Sequence, residues 1–115
     1  MPRRLTFAEL AEGACRPLSG ADQRLDAAAL AAALALLPGW EGNGEAIAKS
    51  FPFPGYEATL AFVNAVARIA QEQDHHPDIA FGYGLCRVAW STHSVGGVSR
   101  NDLICAAKIE ALLRP

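Results

Sequence analysis

The sequence has no apolar run long enough to cross a bilayer, no basic excess and few cysteines, and each shortage removes a class of protein. A membrane-spanning helix needs about 20 apolar residues. The longest run here, residues 27–37, stops at Pro38-Gly39 and reads as a buried helix. Ten Lys and Arg against 12 Asp and Glu leave a formal net charge of −2. That balance argues against a direct nucleic-acid binder, which needs a basic face. Cys15, Cys86 and Cys105 are an odd number with no CxxC pair, so neither a disulfide framework nor a thiolate zinc site is indicated, and a cytoplasmic setting is expected. Arg3-Arg4 resembles the start of an export signal, but Glu9 and Glu12 interrupt what would be its apolar region, so no targeting segment is expected.

Nucleophile and phosphate motifs are missing as well. Ser91, Ser94 and Ser99 lie outside any GxSxG elbow, and no lysine follows Gly96-Gly97 as a phosphate loop requires. That glycine pair reads as a flexible connector. At 115 residues the chain suits one domain that buries about two-thirds of its unfolded surface.

Local signals then order the elements. Thr6 caps a short helix over 6–14 that looks peripheral, and Asp26 caps a helix carrying Leu30, Leu34 and Leu37. Residues 40–43 and 45–53 read as strands joined at Gly42-Asn43-Gly44, with Ile47, Lys49 and Phe51 on one face. Residues 56–73 are helical, with Leu60, Val63, Ala67 and Ala70 as the apolar stripe, and Pro77 stops the helix. A second hairpin spans 78–82 and 85–92 around Gly82-Tyr83-Gly84, with Val88 and Trp90 on one face. Ser99 and Asp102 form a capping box for a closing helix. The order α-β-β-α-β-β-α predicts an α+β fold: a four-stranded antiparallel sheet with helices packed on one face. Residues 1–25 are an N-terminal extension and 26–115 a single domain.

What is present in concentrated form is histidine. His75 and His76 are adjacent in Asp74-His75-His76-Pro77, and His93 follows eighteen residues after His75. Histidine exchanges protons near neutral pH, and adjacent imidazoles reach one concavity only from a loop, since on a strand they would face opposite ways. A metal site using Asp74, Asp78 or Asp102 is disfavoured because no HxH, HxxxH or HExxH spacing occurs.

The run Gln71-Glu72-Gln73-Asp74-His75-His76-Pro77, then Tyr83, Ser91-Thr92-His93 and Asp102, resembles the signature of the pterin-4a-carbinolamine dehydratases. The resemblance extends through Pro38-Gly39-Trp40, Phe51-Pro52-Phe53 and Phe62, covering roughly residues 26–113. It implies dehydration of 4a-hydroxytetrahydropterins to quinonoid dihydropterin and water, in tetrahydropterin recycling, with no metal or organic cofactor. It also implies homodimers or homotetramers that join sheets edge to edge, and an aromatic amino-acid hydroxylase as an expected protein partner. Relatives acting as dimerisation cofactors or assembly factors supply the rival, non-catalytic reading.

Carried over residue by residue, the resemblance makes His75 the main acid/base group, His93 the second acid on the hydroxyl and His76 mainly a substrate contact. Asp74, Ser91, Thr92 and Ser94 occupy pterin-holding positions, and Gln71 and Asp102 are supporting residues. Gln71 stands where many members carry glutamate; lacking charge, it implies a lower His75 pKa than in such a relative. Ile79 replaces a common aromatic residue, for which Tyr83 and Trp40 are the expected substitutes.

Overall fold

A computed structural model describes residues 5–114; Arg3-Arg4 lie outside them. The elements are α1 (Phe7–Glu12), α2 (Ala27–Leu34), β1 (Glu41–Gly42), β2 (Ile47–Pro52), α3 (Tyr56–Gln73), β3 (Asp78–Phe81), β4 (Leu85–Trp90) and α4 (Arg100–Leu113), with 3-10 turns at Ala21–Gln23 and His93–Val95. The four strands make one antiparallel sheet in the order β1-β2-β4-β3. This is the expected α+β architecture, with α1 preceding the expected order. Among the described residues, no helix is long and apolar enough to cross a membrane.

Period-two alternation decides which face of the sheet is covered. Ile47 and Phe51 of β2 and Cys86, Val88 and Trp90 of β4 are buried, while Ser50 and Arg87 between them are exposed. The central register pairs Ile47 with Trp90 and Phe51 with Cys86, so the buried side chains form adjacent rows. Against them pack α3 and α4, whose Phe62, Val66, Leu103, Ala106 and Ile109 complete the core.

The three expected caps are in place. Thr6 and Asp26 accept hydrogen bonds from the backbone N–H groups of Glu9 and Ala29, and Ser99 with Asp102 forms a reciprocal capping box at α4. Three expectations are corrected. The buried stripe of α3 is Thr59, Phe62, Val66 and Ala70, whereas Leu60 and Ala67 are exposed. Thr59 is tolerated inside because its single hydroxyl hydrogen is shared between the carbonyl oxygens of Gly55 and Tyr83, at 2.8 and 2.9 Å. Helix α2 is not a buried helix, since only Leu30 and Ala33 within it are buried. Nor is Gly96-Gly97 a loose connector. Gly97 is buried, exchanges backbone hydrogen bonds with Thr92 (2.8 and 3.3 Å), and would drive a Cβ into the Gly44 carbonyl.

The segment before Asp26 is less peripheral than its sequence suggests. Helix α1 packs along α4, and Leu10 is fully buried in the common core. Replacing that side chain leaves a cavity that the short helix cannot fill. Leu10→Ala is therefore expected to cost about 2–5 kcal/mol, read from the urea unfolding midpoint. A change within the roughly 0.5 kcal/mol typical of surface positions would show α1 to be dispensable.

Candidate active site

The end of α3 is built by its backbone. Asp74 adopts the left-handed conformation (φ 51°, ψ 43°), which aspartate tolerates better than most residues. The His75 N–H then returns to the Ala70 carbonyl (3.1 Å) and the Asp74 N–H to Gln71 (3.4 Å), the paired bonds of a Schellman motif. The helix thus closes three residues before Pro77, and the reversal separates the two adjacent imidazoles.

His75 turns inward. Its ring stacks on Trp90, with centroids 5.5 Å apart and planes 18° apart, and its Nε2 lies 2.6 Å from Asp102 Oδ1. The Asp102 carboxylate is fully buried, and its second oxygen accepts from Thr92 Oγ1 (2.8 Å) and the Ser99 N–H (2.9 Å). A carboxylate only accepts, so the Nε2 proton points at Asp102 and Thr92 donates its single hydroxyl hydrogen there. The 2.7 Å contact between Thr92 Oγ1 and Ser99 Oγ then has Ser99 donating, and Ser99 Oγ in turn accepts from the Asn101 N–H (3.2 Å). Every oxygen around the buried carboxylate has a defined role.

This arrangement sets the protonation of His75. The hydrogen bond to Asp102 raises its pKa above the ordinary histidine value, burial opposes the rise, and the charges of Asp102 and Cys15 add to it. With Nε2 bound to Asp102 and no hydrogen bond made by Nδ1 within the described chain, Nδ1 is the nitrogen able to give or take a proton outside.

Asp74, His75, Thr92 and Ser94 line a cavity of about 330 Å³, whose remaining wall comes from Gln73, Asn101 and residues 15–18. His93 and Ser91 line an adjoining one of about 250 Å³ with Glu45, Gly96 and Gly97, and Thr92 borders both. His76 lines neither cavity; it is exposed, with Nε2 3.1 Å from Gln71 Oε1. Gln71 therefore supports His76 and not His75, whose partner is a full carboxylate. The hydroxyls of Thr92 and Ser94 are committed within the chain, the first to Asp102 and the second to the Leu18 carbonyl at 2.5 Å. Among the described residues, no three His, Cys, Asp or Glu side chains gather in a group able to hold a metal ion.

Trp40 and Tyr83 do not replace the missing aromatic at Ile79. Trp40 is buried in the core, with its indole N–H on Glu110 (3.0 Å), and Tyr83 is exposed at the β3–β4 turn. The ring that stacks at the site is Trp90. Sequence reasoning missed it because an inward residue on β4 reads only as core. It also missed Asn101 and residues 15–18, which carry no motif.

The family model described as Pterin 4 alpha carbinolamine dehydratase matches residues 23–112. The chain belongs to this family. A Nitrosospira multiformis protein with the provisional name pterin-4-alpha-carbinolamine dehydratase is 46% identical over 109 residues, covering 95% of this chain and 96% of that one. A Stenotrophomonas maltophilia protein of the same provisional name is 50% identical over 105 residues, 90% of each chain. Among solved structures, a transcriptional coactivator/pterin dehydratase from Brucella melitensis superposes with TM-score 0.75 at 33% identity, covering 79% of this chain and 99% of that one. A pterin dehydratase-like protein identified as a RuBisCO assembly factor in the alpha-carboxysome gives TM-score 0.53 at 28% identity, covering 64% and 84%. The proteins similar to this chain thus include both relatives named as enzymes and a like-folded protein named as an assembly factor.

The pairing of His75 with Asp102 has a measurable sign. A raised histidine pKa stabilises the fold fully below the unfolded-state value of about 6.5, and that contribution is lost as pH rises through the higher folded-state value. An NMR titration of the His75 ring is expected to show an inflection above the ordinary histidine value, moving down in Asp102→Asn. A wild-type inflection at or below that value would contradict the pairing.

Proposed function

We propose that the protein is a dehydratase of 4a-hydroxytetrahydropterins, acting in the cytoplasm by histidine acid/base catalysis without metal or organic cofactor. The carrying observation is the His75–Asp102 pair at a cavity wall, with Nδ1 of His75 free to exchange a proton. The reaction needs that and little more. The 4a hydroxyl leaves as water once protonated, the N5 lone pair forms the C4a=N5 bond, and N5 gives up its proton, so one acid and one base complete the balance.

In this reading His75 is the main acid/base group. Its raised pKa keeps a proton available near neutrality, and the Asp102 carboxylate steadies the imidazolium when it forms. His93, in the adjoining cavity across Thr92, acts on the hydroxyl. Asp74 contacts the pterin from the end of α3, while Ser91, Thr92 and Ser94 provide backbone groups and surface; His76, outside both cavities, has no part in the chemistry. A cavity of about 330 Å³ lies within the 300–1,000 Å³ range of small-molecule sites.

A second reading, a non-catalytic dimerisation cofactor or assembly factor, is favoured by one observation. Tyr56, Phe81, Tyr83 and Leu85 leave large apolar surface exposed around the free β3 edge, with Tyr56 and Phe81 ring centroids 6.3 Å apart, and such an edge suits association with another chain. The same edge is where we place the homodimer, or homotetramer, contact.

The decisive measurement follows loss of a freshly generated 4a-carbinolamine. His75→Ala is expected to lower kcat by about 10²–10⁴-fold while the protein remains folded by circular dichroism, and His93→Ala should also slow turnover. Equal rates for wild type and His75→Ala would overturn the mechanism. No pterin binding by calorimetry, together with stable capture of a macromolecular partner lost on Phe81→Ser, would favour the second reading.

A further inference from the structure

Residues 15–18, which the proposed acid/base chemistry does not use, are held against the His75 cavity by side chains from three other segments. The Cys15 N–H donates to Gln73 Oε1 (2.8 Å), Arg16 and Asn101 exchange two hydrogen bonds (3.2 and 2.7 Å), and Ser94 Oγ donates to the Leu18 carbonyl. This anchoring sets the Cys15 Sγ 3.5 Å from Cys105 Sγ and 3.5 Å from the Asn101 carbonyl oxygen. Cys105 is fully buried in α4, whereas Cys15 is half-buried and lines the cavity. One thiol can therefore be reached through the cavity, and the other waits behind it.

We propose that Cys15 is a peroxide-reactive modification site and Cys105 its resolving thiol, so that oxidation ties residues 15–18 to α4 by a disulfide beside His75. The two sulfurs need to close by about 1.5 Å to reach a bond of about 2.05 Å, and Cys15 sits in a loop free of helical constraint. The pair is also asymmetric. Because the Cys15 S–H donates to the Asn101 carbonyl oxygen, the sulfur–sulfur contact has Cys105 donating to Cys15; that contact, with the positive charge of His75 and Lys108, makes Cys15 ionise more readily than an ordinary thiol although burial and Asp102 oppose this. The same contact, with burial, keeps the proton on Cys105.

The steps balance. The Cys15 thiolate attacks one peroxide oxygen, the O–O bond breaks, and the departing hydroxide takes a proton to leave as water, giving a sulfenic acid. Charge at Cys15 is then gone, which releases the hold on the Cys105 proton. The Cys105 sulfur attacks the sulfenic sulfur and expels the second water. Two thiols have lost two hydrogens and one peroxide has become two waters. Nothing in this sequence depends on the pterin reading, because the oxidant supplies its own chemistry.

Cys86 is the internal control, buried in β4 with its thiol pushed up by burial. Full-length wild-type and C86S proteins are treated with a modest molar excess of hydrogen peroxide, quenched and analysed by mass spectrometry. Expected in both are an intact mass lower by two hydrogens, joint loss of Cys15 and Cys105 to a maleimide probe, a Cys15–Cys105 cross-linked peptide and full reversal by dithiothreitol. In C105S, Cys15 should stop at a sulfenic acid trapped by dimedone. Cys15 passing to sulfinic acid while Cys105 stays free, an intermolecular disulfide in place of the internal one, or Cys86 reacting as fast as Cys15 would each overturn the proposal.

Discussion

A buried carboxylate organises this molecule. Asp102 has no exposed surface, and removing such an ion from water costs several kcal/mol unless its lone pairs are filled. They are filled from three directions. His75 arrives from the end of α3, Thr92 from the loop after β4, and the Ser99 N–H from the start of α4 itself. Each donor is useful only where the others are present, so the carboxylate couples three segments separated in sequence into one structural unit. One carboxylate thus caps a helix through Oδ2 and orients an imidazole through Oδ1.

The sheet and helices explain why the donors arrive where they do. Alternation along β4 sends Trp90 inward, and the next inward-directed hydroxyl, Thr92, follows two residues later, in keeping with a strand's period. Backbone bonds between Thr92 and Gly97 close the loop that carries His93. On the other side, the left-handed Asp74 reverses the chain so that the His75 ring lies on Trp90. Stacking restrains the ring plane while Asp102 restrains its rotation. A pre-positioned imidazole loses little entropy when it meets a ligand.

Much of this was legible locally. Caps at Thr6, Asp26 and Ser99, the turn at Gly82-Tyr83-Gly84 and the helix over residues 56–73 depend on neighbours within a few positions and appear in the structure, whereas the first hairpin turns over residues 43–46 and the helix buries a different stripe. What escaped detection depended on distant partners. Thr59 enters the core with its hydroxyl shared between the Gly55 carbonyl and that of Tyr83, 24 residues away, and the second of these partners is not visible from its sequence neighbours. Gln71 meets His76 and not His75, because spacing cannot foresee the reversal at Asp74. Residues 15–18 showed no pattern, since what holds them is contributed by Gln73, Ser94 and Asn101. Asp102 is the favourable case: a capping box is a local signal carried by Oδ2, and the other oxygen, Oδ1, carries the long-range contact to His75.

The network also bears on which of the two functional readings the chain better supports. A protein acting only as a scaffold needs an interaction surface, and the exposed Tyr56, Phe81 and Tyr83 can provide one without any histidine at the His75 cavity. A helix start is capped adequately by Ser99 alone, and replacing a buried ion pair by packed apolar groups is often neutral or stabilising. The stability that the pair adds at low pH is of a kind that apolar packing also supplies, so it does not by itself account for an imidazole stacked on an indole and bound to a desolvated carboxylate with its other nitrogen left over. Proton transfer gives such a reason, because it requires a histidine whose orientation, tautomer and pKa are all set by its surroundings. His75 meets those three conditions through contacts that the apolar surface around the β3 edge does not share, which is why the acid/base reading is the one we favour.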